Sequence, residues 1–176
     1  MRVIAGAYGG RRLVAPPGRD TRPTSDRVRE ALFSILGPLD GERVLDLFAG
    51  SGALGIEALS RGAAEATFVE RAPAALRALR GNLEALGASA RVVARDARVF
   101  IRDAKAAGDT YDLVFLDPPY RDAAGLGPVL DLAPLLASGG RAVSESDRRA
   151  PLELPGLEVT DERRYGDTLI RIHRTP

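Results

Sequence analysis

No cysteine occurs in the 176 residues, which excludes disulfides, thiolate zinc sites and cysteine nucleophiles. The single histidine, His173, lies near the carboxyl end. One imidazole offers no histidine-based dyad or metal site, so no metal is expected, and His173 is expected at the surface. Lysine is nearly absent too: Lys105 is the one lysine and every other basic side chain is arginine. With so much Ala and Gly this fits a GC-rich genome, and it lacks the Lys and Glu enrichment that marks thermophily more widely. No apolar run approaches membrane-spanning length and no charged-then-apolar leader opens the chain, so a cytoplasmic protein is expected.

What is present suits one ordinary domain with a proper core. Formal charge is nearly balanced at +1, yet residues 1–36 hold seven Arg against Asp20, Asp26 and Glu30. A basic amino-terminal segment on a near-neutral body suggests contact with a polyanion from one end, the plain alternative being a solvated surface.

Apolar periodicity alternates regularly between strand and helix. Val3 to Ala5 and Arg12 to Val14 flank Gly9-Gly10 and read as a short hairpin. After a Pro- and Arg-rich loop, Thr24 or Ser25 can cap a helix to about Leu36, with Val28, Ala31, Leu32 and Ile35 on one face. Strands are expected at Val44–Leu47, Ala66–Val69, Arg91–Ala94, Leu113–Leu116 and Arg141–Ser144. Helices are expected at Ala53–Ser60, Ala74–Leu86, Ala97–Ala106 and about Leu126–Leu136. Leu157–Thr160 and Thr168–His173 have no helix between them and should pair antiparallel. The pattern implies an α/β fold with a mostly parallel, doubly wound sheet and right-handed crossovers. The expected organisation is a single domain, with 1–36 as a basic amino-terminal extension and 37–176 as the core.

The first strand–loop–helix carries Gly50-Ser51-Gly52-Ala53-Leu54-Gly55, a G-x-G-x-x-G run that lets backbone approach a ligand at a helix amino terminus. Alone it is shared with dinucleotide enzymes. Asp46, at the strand end before it, would repel a pyrophosphate but attract an ammonium. Glu70 closes the second strand, where a carboxylate accepts from ribose hydroxyls. Asp96 closes the third; it could accept from an adenine amine, with the Ala97 N–H on a ring nitrogen, or simply cap the following helix. Ribose, adenine, amine and carboxylate together make S-adenosylmethionine. Phe48, Ala49, Ser51 and Arg71 complete the expected cofactor contacts, although Phe48 and Arg71 also fit plain packing.

Asp117-Pro118-Pro119-Tyr120 follows the fourth strand, at the sheet end where open α/β folds hold ligands. Two prolines stiffen the loop and remove two N–H donors. The remaining rim is rich in acceptors and suits an exocyclic amine, and the Tyr120 ring suits the face of a base. The alternative is a stiff turn with an incidental Asp and Tyr.

Taken together, Asp46 through Gly55 and Asp117-Pro118-Pro119-Tyr120 resemble the S-adenosylmethionine-dependent methyltransferases of exocyclic amines. Arg2 to Gly6, Gly10-Arg11, Thr21 to Phe33 and the tail Tyr165-Gly166-Asp167-Thr168 narrow this further. They resemble the bacterial family that methylates the guanine N2 amine of 16S ribosomal RNA. The resemblance implies the class I methyltransferase Rossmann-like fold, with a seven-stranded sheet that carries an antiparallel carboxyl-terminal strand. It also implies that Asp46, Gly50, Gly52, Glu70 and Asp96 carry the cofactor, and that Asp117 and Tyr120 carry the base.

On that reading Asp117 and the Pro118 carbonyl accept the amine hydrogens and aim its lone pair, while Tyr120 stacks on a base turned out of its helix or loop. Arg11, Arg12, Arg22, Arg27 and Arg29 supply phosphate contacts, and Thr24 faces RNA or cofactor; Arg27 and Arg29 could instead pair with Glu30 or Asp26. The expected partner is 16S rRNA or the small ribosomal subunit, met by a monomer. The nearest rival is an adenine-N6 methyltransferase acting on DNA or RNA. A nicotinamide oxidoreductase would leave Asp46 and the Asp-Pro-Pro-Tyr loop unexplained, and a non-catalytic RNA-binding protein would have no use for the acceptor loop.

Overall fold

The computed structural model describes residues 1–16, 26–119, 126 and 130–176. Its centre is a seven-stranded sheet in the order β3-β2-β1-β4-β5-β7-β6. The strands are β1 (Arg43–Leu47), β2 (Glu65–Glu70), β3 (Arg91–Ala94), β4 (Tyr111–Leu116), β5 (Leu136–Asp147), β6 (Glu158–Tyr165) and β7 (Thr168–Arg174). The first five run parallel, and β7 is antiparallel to both β5 and β6. Among the described residues four α-helices complete the frame: α1 (Asp26–Leu36), α2 (Ala53–Ser60), α3 (Pro73–Leu86) and α4 (Ala97–Ala107).

Covered on both faces, the central strands are apolar along their length rather than alternating. Their side chains nonetheless divide by parity between two cores. Val44, Phe68, Leu113 and Phe115 join α1, α2, α3, Val3 and Leu13 on one face. Leu45, Leu47, Val69, Val114 and Leu116 join α4 and the leucines between β4 and β5 on the other. Asp46 shares the parity of Val44 and therefore points toward α2.

Several expectations need correction. The amino-terminal hairpin is reduced to one antiparallel bridge between Arg2 and Arg12, supported by Val3 N–H to the Arg11 carbonyl (2.9 Å) and Leu13 N–H to the Met1 carbonyl (3.1 Å). The buried side of α1 consists of Val28, Arg29, Leu32, Phe33 and Leu36, whereas Ile35 is exposed. Phe33 wins that face because its ring meets Phe115 of β4, with centroids 5.7 Å apart. The helix expected near Leu126–Leu136 is not formed over its end: Ala133–Leu135 is a 3₁₀ turn and Leu136 already opens β5. Pro134 removes a donor that a continuing helix needs. Leu126, Leu130, Leu132, Leu135 and Leu136 all enter the second core, and the Leu130 N–H donates to the Leu126 carbonyl at 3.1 Å. Finally, His173 is buried in β7 and not at the surface, sharing a 2.9 Å hydrogen bond between its Nε2 and Ser144 Oγ. Burial, with the nearby Arg171 charge, pushes its pKa down to about 4.

Candidate active site

Parallel register sets Asp46, Glu70, Asp96 and Asp117 at one end of the sheet. Leu47 pairs with Val69 and with Leu116, and Glu70 pairs with Ala94. Each acidic residue therefore sits at or just beyond a strand's carboxyl end.

The loop from β1 into α2 is built by close approach. Gly52 caps α2 at φ 83°, and a Cβ there would lie 2.4 Å from Leu79 Cδ1. A Cβ on Gly55 would lie 2.4 Å from the Phe68 ring. Only glycine lets α2 start this close to β2 and α3. Phe48 adopts φ 62°, left-handed backbone for a bulky residue, which costs on the order of 1–3 kcal/mol and is held by its surroundings. Those surroundings include Ala49 N–H on the Val69 carbonyl at 3.0 Å and Gly52 N–H on the Ala49 carbonyl at 2.7 Å.

Two carboxylates tie this loop down. Asp46, 2% exposed, accepts the Gly55 N–H at 2.9 Å. Burial raises its pKa to about 7; the Gly55 N–H opposes the shift and the neighbouring Glu70 charge adds to it. Glu70 accepts the Gly50 N–H at 2.9 Å through Oε2, and those of Arg71 and Ala72, each at 2.7 Å, through Oε1. A carboxylate has about four lone-pair sites, so Glu70 keeps capacity for one more donor. Asp96 caps α4 through the Arg98 N–H at 2.9 Å and pairs with the Arg71 guanidinium at 3.0 Å. Its helix-cap role is therefore present, and Arg71 is an ion-pair partner rather than core packing. Ala97 is buried at the first position of α4.

Across β1, Asp117 is half-buried, Pro118 buried and Pro119 exposed. Tyr120, Arg22 and Thr24 lie outside the described residues. Of the cations assigned to RNA, Arg11, Arg12 and Arg27 are exposed. Among the described residues Arg12 and Arg27 form no ion pair, while Arg11 donates to the Ala85 carbonyl at 2.6 Å.

Arg29 does not belong with them. It is fully buried and donates to the Arg2 carbonyl at 2.5 Å and to Asp26 at 2.7 Å, with Glu57 at 3.8 Å. No polyanion can reach it. Its partner Glu57 on α2 was not singled out from the sequence. Glu57 accepts the N–H groups of Ile4 (2.7 Å) and Ala5 (3.1 Å) and the Arg61 guanidinium at 2.7 Å. Asn82 on α3 was also missed. In both cases the available signal was a polar residue inside an otherwise apolar helical stripe.

Comparison with known proteins agrees with this frame. The family described as Conserved hypothetical protein 95 matches residues 1–174. YlbH of Bacillus subtilis is 41% identical over 183 residues, covering 99% of this chain and 98% of that protein. Ribosomal RNA small subunit methyltransferase D of Escherichia coli is 47% identical over 123 residues, 69% of this chain and 61% of that protein. Among solved structures, yhhF from Escherichia coli superposes with a TM-score of 0.84 at 37% identity, covering 99% of this chain and 97% of that one. A family match over residues 1–174 means that this chain belongs to the Conserved hypothetical protein 95 family, that of ribosomal RNA small subunit methyltransferase D.

Proposed function

We propose that this protein transfers a methyl group from S-adenosylmethionine to the exocyclic N2 amine of a guanine in 16S ribosomal RNA, acting as a cytoplasmic monomer on that RNA or on the small ribosomal subunit. The observation that carries the reading is Asp46, a buried carboxylate beside a glycine loop, whose one hydrogen bond among the described residues leaves its charge under-compensated. An ammonium satisfies it; a pyrophosphate does not. The name of the Escherichia coli relative supports the RNA substrate. Among the described residues no helix is long and apolar enough to cross a membrane.

S-adenosylmethionine supplies an electrophilic sulfonium methyl, so the protein's task is to position a poor nucleophile. Asp46 holds the amino group, Glu70 a ribose hydroxyl through its remaining lone pair, and Asp96 with the Ala97 N–H the adenine. Gly50, Ser51 and Gly52, flanked by Phe48 and Ala49, bring backbone against the ligand. Asp117 and the Pro118 carbonyl accept the guanine amine hydrogens, weaken delocalisation of its lone pair into the ring and aim it at the methyl. The N–C bond forms as the S–C bond breaks, and the amine proton leaves toward the acceptor rim. Tyr120 stacks on the base. Arg11, Arg12, Arg22 and Arg27 contact phosphates with Thr24 beside them, which makes RNA affinity fall steeply with salt.

The test is transfer of labelled methyl to unmodified 16S rRNA, free and in assembled particles, with duplex DNA alongside. N2-methylguanosine is expected, and N6-methyladenine would replace this reading with its rival. Asp117→Ala should lower turnover by about 10²–10³-fold, the scale of one lost transition-state contact. Its S-adenosylmethionine affinity should change little, and equal losses in both would remove Asp117 from the chemistry.

A further inference from the structure

Asn82 sits on the buried side of α3 among Leu76, Leu79, Leu83 and Leu86, and is 2% exposed. Every polar atom of its amide is engaged. Oδ1 accepts the Val14 N–H at 2.8 Å, while Nδ2 donates to the Val14 carbonyl at 3.0 Å and to the Ser51 carbonyl at 2.9 Å. Ser51 is the middle residue of the cofactor loop, between Gly50 and Gly52. Val14 lies on the amino-terminal segment that continues in sequence toward Arg22 and Arg27. The Val14 side chain is 67% exposed, so this point of the segment is held by its backbone rather than by burial.

We propose that Asn82 is a positioning residue that couples the cofactor loop to the amino-terminal segment. Filling the cofactor site then tightens residues 11–16 and raises RNA affinity, and RNA raises cofactor affinity by the same factor. The coupling rests on the methyl-transfer reading above. It works because the amide is rigid and buried. If the Ser51 carbonyl shifts against a ligand, Asn82 must follow it or leave a donor unpaired where water does not reach, and by following it carries Val14 along. The hairpin itself is docked independently by Glu57 through the Ile4 and Ala5 N–H groups, so cutting the Asn82 link leaves the module in place.

Hydrogen exchange on the full chain, with and without S-adenosylhomocysteine, tests the link without RNA. In the wild type both residues 48–55 and residues 11–16 should exchange more slowly with ligand. In Asn82→Ala only residues 48–55 should respond. Val14→Pro removes the N–H donated to Oδ1 and keeps the carbonyl on Nδ2, so there the response of residues 11–16 should shrink to a fraction of the wild-type one, which keeps the test decisive if Asn82→Ala fails to fold. In parallel, the 16S rRNA dissociation constant should fall about fivefold or more on saturation with S-adenosylhomocysteine in the wild type, the lower end of ordinary coupling, and by a clearly smaller factor in Val14→Pro. A wild-type segment that ignores the ligand while the loop responds overturns the coupling, and so does Val14→Pro retaining the full segment response. A coupled segment with no RNA binding supports the link and refutes the RNA reading instead. Absence of any response at residues 48–55 defeats the cofactor reading and this inference with it.

Discussion

Two carboxylates are buried in adjoining elements of this protein, Asp46 in β1 and Glu57 in α2, and they are treated differently. Glu57 meets two guanidinium groups, Arg61 at 2.7 Å and Arg29 at 3.8 Å, and accepts two backbone N–H groups. Asp46 accepts one N–H, from Gly55, and among the described residues no cation pairs with it. Burial drives its pKa up to about 7. A carboxylate with a structural task is surrounded by the protein's own cations, because leaving it bare would cost several kcal/mol. A carboxylate left bare beside a glycine loop is a candidate site for a cation brought by a ligand, which is the role proposed above for Asp46.

The largest expected effect falls on the structural member. Glu57→Ala strands Arg29, whose Nε and Nη1 already lack hydrogen-bond partners, and breaking such a buried pair costs about 3–5 kcal/mol. Urea unfolding would show it; a loss under about 1 kcal/mol would mean that Arg29 finds water or Asp26 sufficient.

Asp46→Asn should act in the opposite sense on the fold. The folded pKa of about 7 exceeds the ordinary carboxylate value of 3.8, so this group's contribution to stability is full below about 4 and is lost as pH rises through about 7. At pH 8 the neutral amide should therefore stabilise the ligand-free protein by about 1 kcal/mol or more, with a ceiling of about 4 kcal/mol set by the shift. The same variant should bind S-adenosylhomocysteine on the order of 10²-fold more weakly, as expected when one member of a buried charge pair is removed. Loss of both stability and binding would make Asp46 another Glu57.

A smaller effect separates the two by pH alone. Wild-type affinity for S-adenosylhomocysteine should weaken as pH falls below about 7, approaching tenfold per unit, because the ammonium must displace a proton from Asp46. Calorimetric titration at several pH values measures it, and Asp46→Asn should flatten the curve.

The smallest effect belongs to His173, a third buried titratable group. Its folded pKa of about 4 lies below the ordinary imidazole value of 6.5, so its contribution is present above about 6.5 and drains away as pH falls toward 4. His173→Gln should reduce the acid destabilisation of the wild type by about 1–2 kcal/mol, within a ceiling of about 3 kcal/mol. An unchanged slope between pH 7 and pH 5 would mean that the imidazole is solvated.

How much was legible from residues alone varies with the kind of signal. The strand–helix alternation from β1 to β4 was readable because buried parallel strands and amphipathic helices leave strong periodic patterns; α2 and β3 have the expected bounds. The cofactor-loop acids were readable because their position at strand ends follows from topology. The face of α1 was not: Phe33 and Ile35 are both apolar, and only contact with Phe115 selects Phe33. Arg29 looked like its exposed neighbours Arg27 and Arg12 until Glu57 was found facing it from α2.

The sequence by itself therefore determined the doubly wound sheet, the glycine cradle and the row of acids at its edge, since periodicity and turn chemistry are local properties of a chain. Only the tertiary structure decided which charges are spent inside the fold. It assigned Arg29 to Glu57, His173 to Ser144 and Asn82 to two distant backbones, and among the described residues it gave Asp46 no cation. Burial and pairing arise from contacts between residues far apart in the chain, and those contacts set the cost of each charge.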